Sequence, residues 1–108
     1  PALTESRGFI ANISAVVAEQ PLAGMAAYAA SKAALTAADR ALTRELRAAG
    51  ITVTDARPPH TETGLADRPI SGIAPRLREG LRPEDVARRI VTAIVVGERE
   101  IPAEAFSD

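Results

Sequence analysis

Apolar residues change their spacing several times along this chain, and each change predicts an element. Residues Arg7 to Val17 are expected to form a strand: the run Phe9-Ile10-Ala11-Asn12-Ile13 is short and mostly apolar, with Gly8 just ahead of it. So little polar alternation predicts a buried strand covered on both faces, as in a parallel sheet. Glu19 to Gly24 contains Pro21 and is expected to be a connecting loop. From Ala26 to Ala48 the spacing becomes helical. At about 100° per residue, Tyr28, Lys32, Leu35, Leu42 and Leu46 fall within an arc of roughly 80°, which predicts the face that packs on the sheet. Ala27, Ala30, Ala33, Ala34, Ala37, Ala41 and Ala48 occupy the opposite face. Helix propensity alone favours alanine there. A solvent face would carry more charge, so this one is expected to pack on a partner subunit. Gly50 stands where a helix-ending C′ residue is expected. Ile51 to Ala56 is β-branched and brief, the mark of a second strand. Strand, long helix, strand predicts a right-handed βαβ unit.

The remainder is more broken. Arg57-Pro58-Pro59-His60-Thr61-Glu62-Thr63-Gly64 leaves the second strand directly, and its prolines restrict the backbone there. Asp67 to Gly80 mixes Pro, Gly, Ser and Arg and is expected to be a loop with one short helix, of the kind that covers substrates. Pro83-Glu84-Asp85 opens a last helix, with proline at the first position and acids where the helix dipole favours them. Its apolar stripe is Val86, Ile90, Ala93 and Ile94, and Gly97 ends it. Glu98 to Pro102 is expected to supply a short final strand.

Composition narrows the class. The 108 residues carry a net charge of -1 with acids and bases interspersed, which argues against a nucleic-acid partner. Cysteine is absent, so neither a disulfide framework nor a thiolate metal site is expected. No apolar run reaches membrane-span length, and the expected setting is a soluble cytoplasmic protein without a membrane partner. The lone His60 has no companion ligand, so no metal site is predicted.

Candidate chemistry centres on Tyr28 and Lys32, which lie one helical turn apart on one face. A neighbouring ammonium favours a phenolate, so such a pair can exchange a proton with a substrate oxygen. Ser14 and the loop after the second strand lie at strand C-terminal ends, where ligands of open α/β sheets bind. These signals stand in order: Asn12-Ile13-Ser14, Tyr28-x-x-x-Lys32, Arg57-Pro58-Pro59-x-Thr61-x-Thr63 and Pro83-Glu84-Asp85-Val86-Ala87.

From Arg7 to about Val96 the chain resembles the C-terminal half of a short-chain dehydrogenase/reductase. The resemblance implies an α/β fold, a Rossmann-like parallel sheet with flanking helices, of which residues 1–108 are one half. It implies hydride transfer between NADP or NAD and a small carbonyl or alcohol substrate. Tyr28 would be the general acid or base. Lys32 would hold the cofactor's ribose and tune the tyrosine. Pro58, Thr61 and Thr63 would lie along the nicotinamide. The helix from Ala26 to Ala48 would join subunits into a homo-oligomer, in keeping with its alanine face.

Three departures temper this. Counting back from Tyr28 to the family's catalytic serine lands on Ala15, so Ser14 would have to do that work, re-aimed by a bulge because strand side chains alternate. Pro59 replaces an expected glycine. No Gly-rich turn between strand and helix is present to receive a pyrophosphate, so the dinucleotide-binding half is expected to lie upstream. The alternative is a catalytically silent relative serving as a dimerisation or binding module.

Overall fold

A computed structural model describes residues 1–107. Helix α1 spans Ala2–Ser6, strand β1 Phe9–Ile13, helix α2 Ala26–Glu45, strand β2 Thr52–Ala56, helix α3 Pro83–Val96 and strand β3 Glu100–Ile101. Single 3-10 turns occupy Val16–Ala18, Leu65–Asp67 and Ala103–Phe106. The strands form one parallel sheet in the order β1-β2-β3. The register pairs Ile13 with Ala56 and Ala56 with Ile101. The fold is therefore α/β, as the alternation of elements predicted, and Rossmann-like, as the resemblance implied. Helix α1, which carries no buried residue, had no counterpart among the predicted elements.

Five expectations need correction. Strand β1 is not covered on both faces: Phe9 is 52% exposed and Ile13 53%. The two lie on the face shared with Ala56 and Ile101, where α3 packs its Ala93. That helix caps β2 and β3 and leaves β1 open. The segment after β1 is a 3-10 turn, with Val17 buried, rather than more strand. Helix α2 stops at Glu45, because the following turns tighten to Ala49 N–H donating to Leu46 O and Gly50 N–H to Arg47 O. Gly50, at φ 72°, serves the turn into β2, and a side chain there would meet the Arg7 guanidinium. The short helix expected after Asp67 is instead the 3-10 turn Leu65–Asp67.

The packed face of α2 is the fifth correction. Its buried residues are Ala29, Thr36 and Asp39, a seam turned roughly 60° from the leucine-containing arc at 100° per residue. Polar groups turn inward because the sheet offers them partners. Asn12 Nδ2 donates to Asp39 Oδ1 at 2.7 Å. Thr36 Oγ1 donates to Ser14 Oγ at 3.1 Å, and Ser14 Oγ donates to Asp55 Oδ1 at 2.7 Å. Arg57 closes the chain, its guanidinium 2.5 Å from Asp55 Oδ2, 2.6 Å from Glu19 Oε1 and 3.1 Å from Glu100 Oε1. Burial works against the Arg57 charge, but these three carboxylates outweigh it and hold the guanidinium protonated.

The last helix forms as predicted. Pro83 sits at its start, Glu84 and Asp85 in its first turn, and Gly97 caps it at φ 79°, donating to the Ala93 and Ile94 carbonyls. Val86 and Ala93 are buried and Ile90 packs on the core of Ala56 and Ile101.

Candidate active site

The C-terminal ends of β1 and β2 open into one cavity of about 990 Å³. Tyr28, Lys32, Ser14, Pro58, Thr61 and Thr63 all line it, so the structure brings every candidate residue to one place. The position follows from the fold, since chains leaving adjacent parallel strands toward a crossover helix diverge and leave a crevice.

Tyr28 and Lys32 project from the start of α2 into this crevice. Lys32 Nζ lies 5.7 Å from the centre of the Tyr28 ring, within cation–π range. It also donates to the Ile13 carbonyl at 2.9 Å. That carbonyl is the last of β1, so the strand end fixes the ammonium and the ammonium stands beside the phenol. Tyr28 is 42% exposed and reachable from the cavity.

Ser14 is placed differently from its expected role. It is 2% exposed, and its Oγ donates to Asp55 Oδ1 and faces the Ala56 carbonyl at 3.0 Å. Its hydroxyl is built into the polar seam under α2, on the same side of the strand as Asn12. No bulge re-aims it: Ser14 N–H donates to Ala56 O in register with β1 and β2. Ala15 follows it at the cavity wall.

The loop after β2 is held by its own hydrogen bonds. Thr61 Oγ1 donates to the Pro59 carbonyl at 3.0 Å, and Thr63 Oγ1 accepts from Leu65 N–H at 3.4 Å. The loop is strapped to the residues ahead of α3, with Leu81 N–H donating to His60 O and Glu62 N–H to Leu81 O. Glycine is required at position 80, where a Cβ would lie 2.4 Å from the His60 carbonyl oxygen. This clamp was not foreseen, and its only trace in the sequence is the isolated glycine. The inward Asn12, Asp39, Asp55 and Arg57 were also missed. The regular spacing of Ala29, Thr36 and Asp39 was the available signal. Among the described residues no cluster suited to a metal ion occurs.

Comparison with known proteins places this geometry. The sequence matches the family of short chain dehydrogenases over residues 1–71. The chain belongs to that family. An uncharacterised oxidoreductase of Staphylococcus saprophyticus is 32% identical over 93 residues, which are 85% of this chain and 38% of that protein. A short-chain dehydrogenase from Sphingobium yanoikuyae, solved in complex with NADPH, is 29% identical with a TM-score of 0.81, over 94% of this chain and 40% of that one. A short chain dehydrogenase from Burkholderia cenocepacia, solved with NADP, shares the fold at 23% identity and a TM-score of 0.77, over 95% of this chain and 40% of its own. The chain thus spans about two-fifths of the length of these relatives.

Proposed function

We propose that residues 1–108 are the C-terminal half of one short-chain dehydrogenase domain, and that the complete domain is an NADP- or NAD-dependent oxidoreductase of carbonyl or alcohol substrates. The observation that carries this reading is the joint placement of Tyr28, Lys32 and Thr63 around one cavity at the strand ends. The half-domain reading is supported by the unpaired edge of β1, by the exposure of Phe9 and Ile13 beside it, and by the chain's share of its relatives' length.

The residues present suit a nicotinamide nucleotide. Lys32 keeps N–H donors beyond the one given to Ile13 O, as a ribose diol requires. Thr63 uses its hydroxyl only as an acceptor from Leu65 N–H and keeps a proton for a carboxamide oxygen. Pro58 and Thr61 fix the wall between them, Thr61 through its bond to Pro59. When bound, the nicotinamide supplies a hydride to a carbonyl carbon or accepts one from an alcohol carbon. In the reductive direction Tyr28 gives its phenolic proton to the carbonyl oxygen, and solvent restores that proton. In the oxidative direction Tyr28 takes the alcohol proton. Lys32 orients the phenol and the ribose together. Ser14 holds the β1–β2 strand ends and takes no part in proton transfer.

The exposed alanine face of α2 is offered as the subunit interface of a homo-oligomer. No helix among the described residues is long and apolar enough to cross a membrane. A second reading is a silent dimerisation or binding module, favoured by Ala15 at the family's serine position and by the sequestered Ser14 hydroxyl.

Oxidation of NADPH or NADH by the complete domain over a carbonyl panel separates the two. Tyr28→Phe is expected to lower kcat on the order of 10²–10⁴-fold. Equal rates for wild type and Tyr28→Phe would leave only the binding module.

A further inference from the structure

We infer that a second cavity, separate from that of Tyr28, binds inorganic phosphate, with Asp39 accepting its O–H and Arg44, Arg47 and Arg99 holding its charged oxygens. The cavity measures about 270 Å³ and lies between the second half of α2 and the β2–β3 pair. It shares no lining residue with the cavity that holds Tyr28 and Lys32. The inference therefore stands or falls apart from the oxidoreductase reading. Several charged groups around this cavity are already committed. Arg40 pairs with Glu100 at 2.9 Å, and Glu100 also receives Arg57. Asp55 is taken by Ser14 and Arg57. The Arg44, Arg47 and Arg99 guanidinia have no carboxylate partner among the described residues. Asp39 is 2% exposed, and its Oδ2 is buried without a partner among those residues. Three cations and one carboxylate oxygen are thus left over around one space.

Like charges gathered around one space repel unless an anion lies between them. Guanidinium forks match the oxygens of a tetrahedral oxyanion. The carboxylate selects further. It repels an oxyanion without a proton and accepts a hydrogen bond from one that carries an O–H. At pH 7 inorganic phosphate always keeps an O–H, and sulfate has none. A phosphate monoester loses its last proton near about pH 6, so at pH 7 it too mostly lacks the donor. Asp39 therefore singles out free phosphate. Its Oδ2 is shielded from bulk water, and Arg40, Arg44 and Arg47 are exposed side chains free to turn, so the ion reaches it by displacing them. Once bound, phosphate ties the second half of α2 to the start of β3.

Calorimetric titration of the complete domain with sodium phosphate, sodium sulfate and methyl phosphate, at pH 7 and constant ionic strength, tests the site. Phosphate is expected to bind with a Kd of about 1 mM or tighter. Sulfate and methyl phosphate are expected to bind about ten-fold or more weakly, because each leaves the Asp39 oxygen without a donor. Arg44→Gln/Arg47→Gln, at exposed positions, is expected to weaken phosphate binding about ten-fold or more, with an unchanged circular dichroism spectrum showing that the variant is folded. Asp39→Asn puts an N–H donor where the carboxylate oxygen stood. It is expected to bring sulfate level with phosphate or ahead of it, a change of preference that a merely structural role would not produce. Absence of phosphate binding, or equal binding of all three anions by the wild type, overturns the site. So does an unaltered phosphate Kd in the double arginine variant, or a phosphate preference retained by Asp39→Asn.

Discussion

The two faces of the sheet were built on different terms. Under α2 the sheet presents Asn12, Ser14 and Asp55, and each finds a polar partner within the chain. Under α3 it presents Phe9, Ile13, Ala56 and Ile101, and only the last two are covered. The polar face is closed and the apolar face is half open. Each group left unpaired in a buried polar network costs its desolvation, and among the described residues one Asp39 oxygen is in that position. An apolar face can await a cover, because exposed hydrocarbon costs only its area in water. A fold completed by another segment can leave its apolar side open and must finish its polar side alone.

The sharpest way to break this comparison is to remove one member of the closed face. Arg57→Leu strands Asp55, which is 1% exposed, without its cation. Truncating one partner of a buried ion pair is expected to cost about 3–5 kcal/mol, measured by urea unfolding. A loss under about 1 kcal/mol would mean that water already solvates Asp55, since an exposed pair is worth no more than that. Next in size is Ile101→Ala at the covered part of the apolar face. Ile101 is fully buried beside Ala56 and Ala93, and its truncation is expected to cost about 2–5 kcal/mol.

The open part of that face should respond to context. Phe9→Ser with Ile13→Ser is expected to change the stability of the 108-residue chain by no more than about 0.5 kcal/mol per site. In the complete domain the same pair is expected to cost about 2 kcal/mol or more, as a covered core would. Equal small costs in both settings would show that nothing packs on β1, and the half-domain reading would fall with it.

These faces also separate what the sequence made legible from what it hid. Helix α3 could be read because its signals are local: Pro83, the first-turn acids and Gly97 each act within a turn. The strands could be read from short apolar runs, and Tyr28 with Lys32 from one-turn spacing. The orientation of α2 could not. Pattern reading sends Thr36 and Asp39 outward because it weighs each residue by its own polarity. Here they turn inward because Asn12 and Ser14, distant in sequence, supply partners. Ser14 was legible in part: strand alternation already turned its hydroxyl away from the serine's role, while its partner Asp55, distant in sequence, could not be read. Nor does the run Phe9–Ile13 say whether its second cover comes from this chain.

Asp39 tests the closed face most gently. One carboxylate oxygen receives Asn12, while Oδ2 is buried with no partner among the described residues. Burial raises the Asp39 pKa above its ordinary 3.8, the Asn12 hydrogen bond opposes this, and the nearby Asp55 charge adds to it. The folded chain therefore binds this proton more tightly than the unfolded chain does. Asp39 contributes added stability as pH falls through its folded pKa toward 3.8, and withdraws it as pH rises. Glu100 has the opposite sign. Burial pushes its carboxyl up, but Arg40 and Arg57 outweigh burial and hold it below 4.5, so its contribution is present above 4.5 and lost in acid. Asp39→Asn keeps an acceptor for Asn12 and removes the buried charge. At pH 7 it is expected to raise stability by about 1 kcal/mol, with the gain over wild type shrinking as pH falls toward 3.8. Urea unfolding at pH 7 and pH 4 checks both halves. A variant that is less stable at pH 7 would mean that the Asp39 charge is compensated in the folded chain, and that the α2 face is more polar and wetter than its packing implies.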